Sequence, residues 1–135
     1  MKRYLWFMML LMGALLIAGS GCGPKDKGGP KDLIDKYFTS AIKQDYETTY
    51  SCYYAAYKEK ISKDEYIKHR KEASALQSYK IVSLTQKGDT AQVEVLLTFA
   101  PSEKLKRTEP ASAPVKEDLI KENGEWKIKV WGNEG

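Results

Sequence analysis

Three groups of side chains in this 135-residue chain could do chemistry of their own. Two cysteines, Cys22 and Cys52, offer thiols for acylation, for a disulfide or for a metal. A single histidine, His69, could shuttle protons near neutral pH if a carboxylate stood beside it. Nine tyrosines, most of them between positions 37 and 66, could stack on a ligand and hydrogen-bond through their phenol tips. Several familiar chemistries are excluded. Two cysteines allow at most one internal bridge, and neither stands at a metal-like spacing from His69, so no metal site is expected. There is no glycine-rich phosphate loop, no nucleophile elbow and no internal repeat, and hence no expected cofactor or catalytic residue set. The acids Glu94, Glu117 and Asp118 fall in strand-like segments beside apolar neighbours, and alternation is expected to turn them to solvent.

Cys22 stands where the apolar run LLIAGSG meets the polar, glycine-broken stretch GPKDKGGPKD. By itself it could be a structural thiol, a disulfide partner or the point at which the chain is cut and anchored. Upstream, Lys2 and Arg3 supply a positive start, and residues 4–18 form an uncharged apolar run of fifteen residues. That is shorter than the ~20 residues of a membrane-spanning helix, though residues 4–21 reach eighteen. The segment 1–21 therefore reads as a secretory signal. The residues Ala18-Gly19-Ser20-Gly21-Cys22 resemble the lipobox of bacterial lipoproteins, with Gly19 where an aliphatic residue is usual. The resemblance implies cleavage between Gly21 and Cys22 and acylation of Cys22, with palmitate among the acyl chains. Two or more chains give stable anchoring where one gives only marginal binding. By resemblance to the sorting rule of enteric bacteria, Gly23 favours the outer membrane of a Gram-negative envelope. Cys52 is then left without a partner.

Residues 22–31 carry nothing that could enter a core and read as a flexible tether, with a reach of about 15 to 18 Å. The formal charge of the chain is +4, and without Lys2 and Arg3 it falls to +2. Those charges alternate along the sequence rather than cluster, so nucleic acid is not an expected partner.

The elements that would position any site lie within residues 32–132, followed by a tail at 133–135. Asp32 reads as the cap of a helix over 32–44, whose Leu33, Ile34, Tyr37, Phe38, Ala41 and Ile42 form one apolar stripe. Asp45 reads as the cap of a second, running through Ile61 with Tyr46, Tyr50, Tyr53, Tyr54 and Tyr57 at three- and four-residue steps. The motif SKDE at 62–65 opens a third, carrying Tyr66, Ile67, Arg70 and Ala73 on one side. The period then changes to two. Strands are expected at 79–86 and 90–99, the second with Ala91, Val93, Val95, Leu97 and Phe99 on one face. Three prolines make 101–114 read as a long exposed loop. Strands at 115–122 and 125–131 would flank Asn123-Gly124, the strongest short hairpin signal.

Three helices followed by four antiparallel strands make an α+β layout in which the sheet can curl around the first helix. The stretches YFTSAIKQDYETTYSCY, KGDTAQVEVLLTF and LIKENGEWKIKVW, in that order, resemble the nuclear transport factor 2-like (cystatin-like) superfamily, in particular its small bacterial lipoproteins of unknown function. The resemblance implies a cone-shaped domain enclosing a pocket, used by some relatives for isomerisation, dehydration or hydrolysis and by many others only for binding. With a pocket-forming fold and no identifiable reactive set, this chain is expected to bind a small-molecule ligand or an envelope protein without catalysis. A ketosteroid-isomerase-like or dehydratase-like enzyme and a protein-interaction module are the alternatives. Tyr37, Tyr57, Trp126 and His69 are the candidate pocket residues.

Overall fold

The computed structural model describes residues 28–130. The expected leader at 1–21, its junction at Gly21 and Cys22, the tether up to residue 27 and the tail lie outside the described residues.

The helix α1 (Pro30–Ile42) begins two residues before Asp32. Pro30 takes the first helical position, where its missing amide hydrogen has no intrahelical role. Asp32 sits a turn inside and accepts a hydrogen bond from the Gly29 amide at 2.7 Å. Its apolar stripe is buried as the spacing requires, with Ile34 at 0% and Phe38 at 2% exposure.

The second expected helix is divided into α2 (Tyr46–Ser51) and α3 (Ala55–Lys60). Between them the backbone turns into a strand-like bridge, Tyr53 pairing with Ile128. The Ile128 amide donates to the Cys52 carbonyl at 2.8 Å, and the Tyr54 amide donates to the Ile128 carbonyl at 3.0 Å. Two helical hydrogen bonds are thus exchanged for two to the sheet. The tyrosine spacing hides the break because both short helices present their rings to the same core. Asp45 caps α2 as expected, its side chain accepting from the Thr48 amide. Helix α4 (Lys63–Glu72) opens with Ser62 accepting from the Glu65 amide, as the SKDE pattern predicts.

The sheet is an antiparallel meander in the order β1 (Leu76–Lys87), β2 (Thr90–Phe99), β3 (Ala111–Glu122) and β4 (Glu125–Lys129). The loop expected to reach residue 114 ends earlier, because residues 111–114 already pair with β2. Pro114 is tolerated there because β4 pairs only with residues 118–122, leaving this part of β3 an edge. Irregular register in β1, at Leu76/Ser78 and Ile81/Ser83, bends that strand and strengthens its twist. The sheet curls around α1. Ala91, Val93, Val95 and Leu97 point inward from β2, with Leu119, Trp126 and Ile128 completing the core from the next two strands.

The β3–β4 turn holds Asn123 at φ 50° and Gly124 at φ 79°, the left-handed pair that a two-residue hairpin needs. Gly124→Ala puts a Cβ on that backbone and is expected to cost about 1 kcal/mol. Urea unfolding checks it, and an unchanged midpoint would show that the turn tolerates a side chain.

Candidate functional site

Helix α4 carries the residue that organises the interior. Arg70 follows Tyr66 by four residues, so the two share a face of the helix, and that face turns toward α1 and α2. The Arg70 Nε donates to the Tyr66 hydroxyl at 3.1 Å, and its Nη2 donates to the hydroxyls of Tyr37 at 2.5 Å and Tyr53 at 3.2 Å. The Tyr37 and Tyr53 oxygens lie 2.7 Å apart. Tyr66 in turn donates to Thr49 Oγ1 at 3.1 Å, and Thr49 donates to the Tyr46 carbonyl at 2.9 Å. One guanidinium thus ties three helices and the α2–α3 junction into a single polar network within an otherwise apolar core. The rings pack on one another, Tyr37 edge-on to Phe38 and Tyr53 within 4.4 Å of Tyr57 between centroids.

The electrostatics of this cluster are one-sided. Among the described residues no carboxylate stands within ion-pair distance of Arg70. Burial pushes the Tyr37 and Tyr53 phenols up, away from ionisation. Desolvation opposes the charge of Arg70, and the surrounding phenol oxygens more than offset it, so its pKa is raised and the cation persists. A half-buried positive charge is held by neutral oxygens.

Beside this cluster a cavity of about 270 Å³ opens between α1, the end of α4 and the concave sheet face. Phe38 and Ala41 from α1 and Leu76, Leu97, Phe99 and Val115 from the sheet form its apolar wall. Tyr37, Tyr46, Thr49, Arg70 and Glu117 supply its polar groups. The solvent-facing expectation for Glu117 is overturned. It pairs with Val93, a core residue, and sits two residues from both Val115 and Leu119, so the pleat turns it to the concave side. The period-two pattern contained that signal, since Glu117 is in phase with the apolar positions of its strand.

Of the four residues expected to line a pocket, Tyr37 lines this cavity and the other three do not. Tyr57 is half-buried and packs behind Tyr53 and Tyr66. Trp126 is buried in the core, with Lys121 Nζ 6.0 Å from its ring centroid. His69 lies on the outer side of α4, its side chain 62% exposed and 3.9 Å from Glu65. The reason is helical phase, because Arg70 rather than His69 continues the inward face begun by Tyr66. Cys52 is 1% exposed and donates its thiol to the Thr48 carbonyl, and burial pushes the thiol up. Such a thiol is a poor nucleophile. Among the described residues no three metal-ligating side chains come together, and no helix is long and apolar enough to cross a membrane.

No protein-family model matches this chain, and no curated protein matches it by sequence. Solved structures do match in shape. A nuclear transport factor 2-like protein from Campylobacter jejuni, named as a transpeptidase, aligns with a TM-score of 0.56 at 15% identity over 77% of this chain and 100% of its own. The fold is nuclear transport factor 2-like. A SEC-C motif containing protein from Rhodopseudomonas palustris superposes on this nuclear transport factor 2-like domain with a TM-score of 0.61 at 16% identity, over 75% of each chain. A protein from Thiobacillus denitrificans, named as a calcium/calmodulin-dependent protein kinase type II association domain, gives 0.56 at 10% identity over 73% of this chain and 88% of its own. At such identities the likeness extends to the fold, and the side chains around the cavity have to be read from this chain alone.

Proposed function

We propose that this chain is a lipoprotein of a bacterial envelope, anchored through Cys22, whose nuclear transport factor 2-like domain binds a small molecule in its cavity without transforming it. The observation that carries the binding reading is the cavity itself, largely apolar on the sheet side apart from Glu117 and lined on the helix side by a cation and hydroxyl-bearing residues that a hydrogen-bond network holds in place. Concave, mostly apolar sites with a few fixed polar groups are the usual form of small-molecule sites. The sequence AGSGC and the charged stretch after it support the anchor.

Each half of the reading has its own test. Cys22→Ser is expected to abolish incorporation of labelled palmitate and to move the protein from the membrane to the soluble fraction. Retention on the membrane would overturn the anchor. For the cavity, a fragment screen by NMR on the full chain in detergent micelles is expected to give ligands that shift the resonances of Phe38, Leu97, Phe99 and Val115. Ligands that shift only residues elsewhere would overturn the binding reading.

A second reading has one observation in its favour. Glu117 lines the cavity together with Tyr37, a pair in which a carboxylate could move a proton while a phenol steadied an oxyanion. Glu117→Gln separates the two readings, because it would abolish isomerase turnover and leave simple binding in place.

A further inference from the structure

Arg70 has bonds left to make. A guanidinium carries five N–H groups in a fixed fork, and the Nε and Nη2 groups are the ones that reach the three tyrosine oxygens. No described residue accepts from Nη1. Every fully buried side-chain nitrogen and oxygen among the described residues has a partner, so Nη1 keeps accessible surface, and Arg70 lines the cavity. Tyr37 adds a second donor. Where Tyr53 donates across the 2.7 Å contact, the Tyr37 oxygen accepts from Tyr53 and from Arg70, and Tyr37 also lines the cavity.

We propose that this cavity takes a small organic monocarboxylate with an apolar or aromatic body, its carboxylate seated on the free edge of Arg70 and on the Tyr37 hydroxyl and its body against Phe38, Leu97, Phe99 and Val115. The proposal rests on the binding reading above and names the class of ligand. Three features select it. Planar Arg forks match carboxylates bidentately, and Arg70 lines the cavity with part of its fork uncommitted. A single guanidinium balances a single negative charge, which suits a monocarboxylate better than a phosphate dianion. Phe38, Ala41, Leu76, Leu97, Phe99 and Val115 make an apolar side to the wall, and about 270 Å³ of space lies before it, room for a body on the order of ten non-hydrogen atoms.

The test compares three probes of one shape on the full chain in detergent micelles, with empty micelles titrated in parallel: 3-phenylpropanoate, its neutral amide and phenyl phosphate. The acid is expected to bind at least about tenfold more tightly than the amide, the margin that a charge-assisted hydrogen-bond pair provides. Arg70→Lys, which keeps the charge and loses the fork, is expected to reduce the acid's advantage over the amide by a similar factor. Equal affinity for acid and amide, or indifference of the acid to Arg70→Lys, would overturn the carboxylate assignment while leaving the cavity a binding site. Tighter binding of phenyl phosphate would overturn it in favour of phosphate. If neither acid nor amide perturbs the cavity resonances, the binding reading falls with it.

Discussion

Ile128→Ala is expected to remove about 3 to 4 kcal/mol of folding stability, within the range found when a buried isoleucine is truncated. Ile128 is 0% exposed in β4, and it is also where the sheet holds the α2–α3 junction. The backbone bonds to Cys52 and Tyr54 survive the substitution, so the loss comes from the transfer term and from the void left beneath Tyr53. Domains of this size have about 5 to 15 kcal/mol to lose, which makes the change a large fraction of the total. Urea unfolding is expected to show a lower midpoint with an unchanged slope. A loss below about 1 kcal/mol would mean that the site collapses around the missing atoms and that Ile128 does not organise the junction.

Tyr37→Phe is expected to cost about 2 to 3 kcal/mol, because hydrogen bonds to a charged group contribute more than neutral ones. The ring and its edge-on contacts with Phe38 and Tyr53 stay in place, so the change isolates the oxygen that Arg70 and Tyr53 share. Combined with Arg70→Lys, it is expected to show a coupling of about 1 to 2 kcal/mol, and additivity within about 0.5 kcal/mol would break the network into independent pairs. The pH dependence has a definite sign. Burial raises the Tyr37 phenol in the folded protein while the unfolded chain titrates near its ordinary 10.0. The stabilisation is therefore complete below that pH and is lost as pH rises above it, because only the unfolded state gives up the proton. Tyr37→Phe should flatten that loss, and an equally steep decline in the variant would assign it to other groups.

Much of the fold was legible because its signals are local. The stripe from Leu33 to Ile42, the SKDE cap, the alternation in β2 and the Asn-Gly turn each depend on neighbours in sequence, and each stands as expected. The misses are places where distant chain wins. The break at Cys52-Tyr53-Tyr54 is set by β4, seventy-odd residues away, and no helical period can reveal it. The early start of β3 at Ala111 depends on β2 accepting a proline-containing partner at its edge. The site was legible only in part. Tyr37 belongs to the α1 stripe and Arg70 shares a face of α4 with Tyr66, and the spacing carries both placements but not the contact between them. A charged residue on an apolar face reads as a boundary until the three hydroxyls that receive it are brought together from other helices. Glu117 was the avoidable miss, since it keeps step with Val115 and Leu119.

The central claim is that the space between α1 and the concave sheet is where a ligand sits, and filling that space tests it most directly. Ala41→Phe projects a ring into the cavity from α1, over the turn that carries Tyr37 and Phe38, at a cost of about 1 to 3 kcal/mol if the ring strains the wall. With the fold verified by the dispersion of its amide resonances, titration of this variant with 3-phenylpropanoate is expected to show affinity reduced by about tenfold or more relative to the parent chain. An affinity equal to that of the parent would place the bound molecule outside the cavity and contradict the account.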